Sequence, residues 1–469
     1  MNGVFNLRVL LINPPIKTQM AGIIFTNMCE PLGLLYIAAV LEKNGVKVKV
    51  IDGIAERLSH EDLEGKIAGF KPDVVGVASM MAETYRDAAE TVKIARRAVP
   101  EAKIVIGGHN ASFVAGKIIE NLPDVDYVVV GEGEYTFLEL AQALENGGDV
   151  SRVKGLMLRE NGRAVFTGPR EPIQNLDELP FPAKHLLSPN ASYGRFQVAM
   201  FNVAFKNMSG VITTRGCPFG CTFCSCTAFS GRKIRARSPE NVVAEMEYLV
   251  EKRGVEHIFV VDDNFTCFPK RVMEICKLMK ERDIDVNWFC EGRVDTASWE
   301  MYKAMSDAGC WLIFLGLESG SQRVLDYYEK KTTVEKGQRA VALAQKAGID
   351  VVGSFIVGAP NETEEEYLKT LEFIKRADMD AISISSLKVL PGAELWRRFE
   401  ESGAIKPEDW NNYLEIFDVY GGHSKEKIRR WMKEIENGFY FRPGYLVKEL
   451  WRMFGRRRHM IPHVVRNLF

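Results

Sequence analysis

The sequence predicts two α/β domains in succession, a doubly wound parallel sheet and then a partial (βα)6 barrel, followed by a helical C-terminal tail. Short β-branched runs alternate with helical patterns over residues 7–146, and the alternation resumes from residue 210 after a proline-rich stretch. Near-continuous apolar runs of this length are typical of strands buried on both faces of a parallel sheet. We expect a first domain at 1–150, a linker at 151–205, a barrel at 206–395 and a helical domain at 396–469.

The composition is that of an ordinary globular protein. The chain has 469 residues, of which 46% are hydrophobic and 26% charged, and its net charge is −1. A balanced charge gives no general attraction to nucleic acid. No apolar stretch reaches the ~18 residues of a membrane-spanning helix. Nine cysteines without a disulfide pattern predict a reducing, cytoplasmic location.

The first domain has five strand candidates whose carboxyl ends carry small or polar residues. They are Arg8–Asn13, Lys47–Asp52, Val74–Ser79, Lys103–Gly108 and Tyr127–Gly131. In open parallel sheets, ligands bind beyond the carboxyl ends of the strands. The candidate ligand-binding residues there are Ser79, Gly107, Gly108, Gly131, Glu132 and Gly133. No Gly-x-Gly-x-x-Gly follows the first strand, which argues against NAD or FAD.

The predicted linker is rich in proline and reads as an extended spacer. Pro169, Pro172, Pro180 and Pro182 fix the backbone and remove hydrogen-bond donors. Beyond it, six strand candidates separated by helical patterns predict a barrel that is open on one side. These candidates are Val211–Thr214, His257–Asp262, Asn287–Glu291, Leu312–Leu317, Val351–Val357 and Ala381–Val389.

Three cysteines follow the first barrel strand with the spacing Cys-x-x-x-Cys-x-x-Cys: Cys217, Cys221 and Cys224. Iron–sulfur clusters are held by thiolates, and a complete all-cysteine site takes four. Three thiolates on one short loop would leave one iron open to a ligand that is not protein. The alternative is a structural zinc site with Cys226 as its fourth ligand. Zinc sites of that kind normally pair two separated clips, and no second clip follows.

This motif, with Phe223 before its last cysteine, resembles that of the radical S-adenosylmethionine (SAM) superfamily. The resemblance implies a [4Fe-4S] cluster on Cys217, Cys221 and Cys224, with SAM on the open iron. The reduced cluster then cleaves SAM to a 5′-deoxyadenosyl radical, which takes hydrogen from a substrate. The Gly-Leu-Glu-Ser-Gly run at 316–320 and the Gly-Ala-Pro-Asn-Glu-Thr run at 358–363 match further motifs of that family.

Residues after the barrel strands are candidates for binding SAM. Arg293 suits its carboxylate, because guanidinium binds carboxylates through two parallel hydrogen bonds. Glu318 suits its ammonium or ribose hydroxyls, and Pro360 and Pro391 suit a slot for adenine. Arg293 and Glu318 could instead pair with each other. Asp263 is a candidate for the substrate side of the site or for a turn at the strand end.

The first domain resembles the cobalamin-binding domain that precedes many radical SAM barrels. The resemblance implies that Gly107-Gly108 and Gly131-Glu132-Gly133 flank the corrin or its nucleotide tail, while Ser79 either caps its strand or contacts the ligand. Domains that supply an axial histidine use Asp-x-His-x-x-Gly, whereas Asp52 is followed by Gly-Ile-Ala-Glu. We therefore expect cobalamin without a histidine ligand from this loop, or a domain that serves only as a scaffold.

The tail after residue 396 is rich in aromatic and basic residues. Trp451, Phe454 and Arg456-Arg457-Arg458 lie in its last stretch. Such a segment either packs on the barrel or lies on a membrane surface. It resembles the tails of anaerobic Mg-protoporphyrin ring cyclases and hopanoid methylases, whose substrates are large and apolar.

The sequence as a whole predicts a cobalamin-dependent radical SAM enzyme that methylates an unactivated carbon. A cyclase or carbon–carbon bond-forming enzyme without cobalamin, and a non-enzymatic metal protein, are the alternatives. The expected partners are a small-molecule substrate, such as a lipid or tetrapyrrole, and a reductase, ferredoxin or flavodoxin as electron donor. No nucleic acid partner is expected, and a peripheral membrane contact would involve the tail.

Overall fold

The computed structural model describes residues 6–16, 28–198, 201–360, 362–412, 414–445 and 447–448. They form two compact units. The first contains residues 6–16, 30–192 and 406–412, and the second contains residues 28–29, 193–405 and 414–448. No helix among these described residues is long and apolar enough to cross a membrane.

The first unit is built on a seven-stranded sheet with helices on both faces. Its strands are β1 (Arg8–Asn13), β2 (Lys47–Asp52), β3 (Val74–Ala78), β4 (Lys103–Gly107), β5 (Tyr127–Val129), β6 (Leu156–Glu160) and β7 (Arg163–Phe166). Its helices are α1 (Leu32–Lys43), α2 (His60–Phe70), α3 (Tyr85–Ala98), α4 (His109–Phe113), α5 (Ala115–Asn121) and α6 (Glu134–Glu145). The strand order is β2-β1-β3-β4-β5-β6-β7.

The first five strands are parallel, and this confirms the doubly wound sheet. The apolar strand β3 is buried along its whole length, as expected for a central strand covered on both faces. The strand order reverses between β1 and β3, where open α/β sheets bind ligands. The ends of β3, β4 and β5 therefore come together at one edge of the sheet.

Four strands, β6 to β9, lie inside the stretch 151–205 that is predicted as a spacer, and β6 and β7 extend the sheet of the first unit. β5 pairs with β6 and β6 with β7, both antiparallel. Asn161 and Gly162 join β6 to β7, with φ of 49° and 77°. An Asn-Gly pair with positive φ at both positions is the preferred two-residue hairpin turn. The prolines of this stretch predicted an extended spacer, although its Asn-Gly pair also predicts a hairpin.

The second unit holds an all-parallel sheet of six strands with order β10-β13-β14-β15-β16-β17. The strands of this unit are β8 (Arg195–Val198), β9 (Phe201–Ala204), β10 (Met208–Val211), β11 (Thr214–Arg215), β12 (Arg235–Ala236), β13 (His257–Val260), β14 (Asn287–Gly292), β15 (Cys310–Glu318), β16 (Asp350–Val357), β17 (Ala381–Ser386), β18 (Lys388–Val389) and β19 (Leu414–Glu415). Its helices are α7 (Cys226–Ser230), α8 (Pro239–Arg253), α9 (Pro269–Glu281), α10 (Trp299–Asp307), α11 (Gln322–Tyr327), α12 (Val334–Ala347), α13 (Glu364–Arg376), α14 (Glu394–Glu401), α15 (Ile416–Val419) and α16 (Lys425–Tyr440).

These six strands confirm the partial (βα)6 barrel, and their aromatic side chains fill one face of it. Phe259 and Phe289 are register partners on β13 and β14, and their rings stack with centroids 4.9 Å apart. Phe314 on β15 lies 6.2 Å from Phe289. These aromatic rings occupy the middle of the sheet. Polar groups lie instead at the carboxyl ends of the strands, where barrel active sites are found.

The described part of the tail is helical and packed. Ile428, Trp431, Ile435 and Phe439 are buried along one face of α16, at helical spacing. The ring of Trp431 stacks on Tyr367 of α13, with centroids 4.7 Å apart. The basic stretch with Trp451, Phe454 and Arg456–Arg458 lies outside the described residues.

Candidate active site

The three cysteines lie on a loop, residues 216–234, that a short hairpin closes. β11 and β12 pair antiparallel, with Arg215 opposite Arg235. Asp262, at the end of β13, accepts hydrogen bonds from the backbone N–H groups of Thr213 (2.6 Å) and Thr214 (3.0 Å). The next residue, Asp263, accepts one from Gly216 N–H (3.2 Å). The two acidic residues therefore hold the start of the cysteine loop against the barrel strand beside it.

The loop holds its thiols partly or fully out of solvent. Cys221 is buried, and Cys217 and Cys224 are half-buried. Burial raises the pKa of Cys217 and of Cys221, and the positive charge of Arg293 opposes both shifts. The pKa of Cys224 is lowered to about 7, because the Cys226 thiol donates a hydrogen bond to its sulfur. Three thiols on one loop, near a cation that favours their thiolate form, suit an iron–sulfur cluster with one open iron.

Arg293 lies directly against the cysteine loop. Its Nη1 donates to Cys221 Sγ (3.6 Å), and its guanidinium stacks on the Phe219 ring at 3.7 Å from the centroid. Nε and Nη2 both donate to Asp295 Oδ2, at 3.1 and 2.8 Å, and Nη2 also donates to the Lys330 carbonyl (2.6 Å). Of its five N–H donors, four have these acceptors, and one on Nη1 has none among the described residues. A carboxylate ligand would meet that single N–H beside Cys221, because Asp295 already holds the paired donors.

Glu318 forms a buried ion pair with Lys330, a residue that the sequence analysis did not single out. Arg293 and Glu318 therefore each have their own partner. Glu318 has φ of 61°, unusual for a residue other than glycine, and the β15–β16 register shifts at this point. A Cβ on Gly316 would lie 2.6 Å from Glu318 Oε1 and 2.7 Å from Lys330 Nζ. The first glycine of the Gly-x-Glu-Ser-Gly motif thus makes room for this pair.

Glu362 and Thr363, in the Gly-x-Pro-x-Glu-Thr stretch after β16, bind nearby backbone and cap the next helix. Glu362 is buried, and its Oε2 accepts the N–H groups of Gly358 (2.7 Å) and Ala359 (3.1 Å). Burial raises the pKa of Glu362 to about 7. Thr363 and Glu366 form the capping box of α13.

Pro360 and Pro391, the candidates for an adenine slot, are both buried. Pro391 precedes α14, and the N–H of Leu395 in that helix donates to the carbonyl of Thr222 in the cysteine loop (2.9 Å). Phe223 packs against the ring of Tyr328, with centroids 5.1 Å apart. The turn after β18 is thereby tied to the same loop that carries the three thiols.

In the first unit, the candidate residues at the ends of β3 and β4 pack closely. Ser79 is buried, its N–H donates to the Gly107 carbonyl (2.7 Å), and its Oγ accepts from Asn110 Nδ2 (3.2 Å). Gly108 has φ of 111°, and a Cβ there would lie 2.7 Å from Ser79 O and 2.8 Å from Met80 Sδ. Met80 is nevertheless 45% exposed. This edge therefore presents backbone and a flexible thioether, which suit the flat face of a large ligand.

The turn after β5 has a partly structural role. Gly131 N–H donates to Ser112 Oγ (3.0 Å), and Glu132 Oε2 accepts the N–H of Ile173 (2.7 Å). A Cβ on Gly133 would lie 2.8 Å from Ile37 of α1. Glu132 and Gly133 thus serve the packing of the unit, whereas no atom of the described residues lies within 4 Å of a Cβ built on Gly131.

The loop after β2 has no histidine, and its aspartate closes a turn. Asp52 Oδ1 accepts hydrogen bonds from Asn13 Nδ2 (2.9 Å) and from the N–H groups of Ile54 and Ala55 (both 3.2 Å). A Cβ on Gly53 would lie 2.6 Å from Pro15 N. This turn is therefore closed by its own contacts and not arranged to carry an axial ligand.

A loop of three thiols at the mouth of a partial barrel, preceded by a doubly wound sheet, defines a class of iron–sulfur enzymes that bind SAM and carry a second cofactor domain. Family models give the same two parts. The radical SAM superfamily model matches residues 211–374, and the B12 binding domain model matches residues 21–141. The chain belongs to the radical SAM superfamily and to its members with a B12-binding domain. Its cofactors are a [4Fe-4S] cluster, SAM and cobalamin.

Similar proteins support this assignment over most of the chain. An uncharacterized methyltransferase of Pyrococcus horikoshii is 34% identical, over 98% of this chain and 98% of its own. The anaerobic magnesium-protoporphyrin IX monomethyl ester cyclase of Cereibacter sphaeroides is 32% identical, over 87% of this chain and 66% of its own. The hopanoid C-3 methylase of Methylococcus capsulatus is 28% identical, over 83% and 71%. The cyclase and the hopanoid methylase are the two kinds of relative whose resemblance the sequence indicated.

A solved structure has the same fold. The radical SAM methyltransferase TsrM from Kitasatospora setae, with cobalamin and a [4Fe-4S] cluster bound, superposes with a TM-score of 0.70. The match covers 85% of this chain and 75% of TsrM, at 21% sequence identity. The doubly wound sheet, partial barrel and helical C-terminal part are therefore confirmed as the architecture.

Proposed function

We propose that the enzyme transfers a methyl group to an unactivated carbon of a large, mainly apolar small molecule. One observation carries the proposal: the same chain joins a radical SAM domain at 211–374 to a B12-binding domain at 21–141. Among the described residues, Arg293 beside the three-cysteine loop also has one N–H without an acceptor next to Cys221 Sγ. That arrangement favours a ligand carboxylate at the open side of a cluster. The cluster with SAM supplies a hydrogen-abstracting radical when bound, and cobalamin supplies the methyl group.

The chain's own residues hold and orient these groups. Cys217, Cys221 and Cys224 would hold three irons, and Arg293 would hold the SAM carboxylate. Glu318, whose charge is balanced by Lys330, would accept hydrogen bonds from the SAM ammonium or ribose. Pro360 and Pro391 would line the adenine slot. Arg293 and the helix that follows Pro391 already contact the cysteine loop.

In the first unit, four residues would lie along the corrin or its nucleotide tail: Ser79, Gly107, Gly108 and Gly131. Glu132 and Gly133 would support the same edge from behind, since their contacts are to Ile173 and Ile37. The closed turn at Asp52 supports cobalamin bound without a histidine from this loop. A low-potential one-electron carrier would supply the electrons. A peripheral membrane contact through the tail remains part of this proposal.

The second candidate function is cyclisation, which the cyclase relative from Cereibacter sphaeroides favours. Anaerobically purified protein, reconstituted with iron, sulfide and hydroxocobalamin, should form 5′-deoxyadenosine from SAM and dithionite. With SAM that carries a deuterated methyl group, methylation places the label in the product. A product without label, formed while 5′-deoxyadenosine accumulates, would favour cyclisation. No 5′-deoxyadenosine with the cluster intact would reject both functions.

A further inference from the structure

The stretch of sequence that contains the cysteine loop has an unusual charge. No aspartate or glutamate occurs from residue 179 to 239, although the chain has 62 acidic residues in 469. At that average, the stretch would hold about eight. The same stretch contains Lys184, Arg195, Lys206, Arg215, Arg232, Lys233, Arg235 and Arg237. The segment that carries the cluster ligands is therefore strongly basic within a chain of net charge −1.

Two of these cations stand at the solvent face of the loop. Arg232 and Lys233 are exposed, as are the uncharged residues Pro218 and Ala228 of the same loop. Among the described residues, neither side chain has an acidic partner within ion-pair distance. By contrast, Arg237 is buried and paired with Glu245. The exposed face thus has two uncharged residues beside two positive charges, which favours a negatively charged partner.

Arg232 joins this face to the cluster ligands. Its guanidinium lies against Gly220, where a Cβ would come within 2.8 Å of Nη2 and 2.9 Å of Cζ. Gly220 is the residue directly before Cys221. Arg232 has φ of 58°, a left-handed conformation that turns the chain back at the end of α7. A molecule that contacts Arg232 would therefore lie close to Cys221, because only Gly220 stands between the Arg232 side chain and that cluster ligand.

We propose that Arg232, Lys233, Pro218 and Ala228 form the docking surface for the electron donor, an acidic one-electron carrier protein of the flavodoxin type. The inference rests on the proposed function, which requires an electron for each SAM cleaved. One electron leaves the reduced carrier and enters the cluster, and no atoms are exchanged. Opposite charge speeds encounter and orients the partner, and a thin layer of loop keeps the two redox centres close.

The test is charge reversal, with SAM cleavage driven by two different reductants. Arg232→Glu/Lys233→Glu is compared with Lys252→Glu/Arg253→Glu, which makes the same charge change on exposed residues at the end of α8. Photoreduced flavodoxin should support 5′-deoxyadenosine formation at least about tenfold more slowly in the first variant, and equally well in the control. Dithionite, which needs no docking, should support all three proteins equally. Added salt should slow the flavodoxin reaction of the unmodified protein more than that of the first variant.

A single change separates docking from folding of the loop. Lys233→Glu leaves the Arg232 contact with Gly220 in place, and should still slow the flavodoxin reaction severalfold. Equal flavodoxin rates in the reversal and control variants would overturn the proposal. So would a loss of the dithionite reaction in the double variant together with a normal flavodoxin rate in Lys233→Glu.

If the proposed function fails, measurements of flavodoxin binding still test the docking surface. If dithionite yields no 5′-deoxyadenosine in the unmodified protein, titration calorimetry with oxidised flavodoxin decides it. Binding that is weakened only by charge reversal at 232–233 supports the surface. No binding of flavodoxin, whether or not anionic lipid vesicles bind, overturns it, as does flavodoxin binding that the reversal at 232–233 does not weaken.

Discussion

Arg293 Nη1 lies 3.6 Å from Cys221 Sγ, so that one side chain connects the third barrel strand to the middle ligand of the cysteine loop. The same guanidinium is fixed by Asp295 and by the Lys330 carbonyl. A residue with this many contacts is held in one orientation, which suits a group that must present its last N–H to a ligand.

Arg293→Ala should weaken SAM binding more than it reduces cluster loading. Loss of a charge-assisted hydrogen bond costs roughly 1.5–3 kcal/mol, so we expect SAM affinity to fall roughly 10- to 100-fold. Anaerobic titration calorimetry measures the affinity, and iron and sulfide analysis measures the loading. Lys336→Ala is the matched control, because Lys336 also pairs with Asp295 (3.6 Å) but is exposed. Equal SAM affinity in both variants would remove the carboxylate role from Arg293.

Replacement of any one of the three cysteines by alanine should abolish 5′-deoxyadenosine formation, because each supplies one thiolate to the cluster. Cys226→Ala should keep the cluster and measurable SAM cleavage, although Cys226 donates a hydrogen bond to Cys224. Iron content and the visible spectrum check loading, and mass spectrometry checks the product. If Cys226→Ala lost all bound metal, a four-cysteine zinc or iron site would replace the three-cysteine cluster.

Lys330→Met should destabilise the second unit by roughly 3–5 kcal/mol, because it leaves the Glu318 carboxylate buried without its partner. Adding Glu318→Gln should recover most of that loss. Urea unfolding of the two single variants and the double variant gives the coupling free energy directly. A double variant no more stable than Lys330→Met would mean that the lysine acts through packing and not through the ion pair.

The sequence predicted the elements better than the contacts between them. β1 and β2 have the predicted bounds, because their apolar runs are bounded by charged and turn-forming residues. The Glu318–Lys330 pair could not be predicted, since it depends on a register shift and a left-handed residue at the end of β15. The packing of residues 406–412 with the first unit is likewise a tertiary property, seen in Trp410 against Tyr85 at 5.2 Å. The site residues were recognisable by type, but their partners were not.

Gly316→Ala should lower SAM affinity by at least about tenfold, about 1.4 kcal/mol, with the cluster still loaded. The new Cβ would displace the Glu318 carboxylate or the Lys330 ammonium, whose atoms lie 2.6 and 2.7 Å from its position. Gly421→Ala is the matched control, because nothing lies within 4 Å of its Cβ position. Calorimetry with SAM compares the two variants. Unchanged affinity in Gly316→Ala would show that the pair does not contribute to SAM binding.

Glu362 predicts a pH dependence of stability whose sign follows from its burial. Its pKa is raised to about 7 from an ordinary value of 4.5, so between those two pH values the folded protein binds a proton that the unfolded chain releases. Stability from this group is therefore fully present below about pH 4.5 and is lost as the pH rises to 7, by roughly 3 kcal/mol. Glu362→Gln keeps the acceptor for Gly358 and Ala359 but cannot ionise. Its free energy of unfolding should therefore rise relative to that of the unmodified protein as the pH rises. Urea unfolding at pH 5 and pH 8 checks the difference, and a constant gap between the two proteins would show that Glu362 stays ionised when folded.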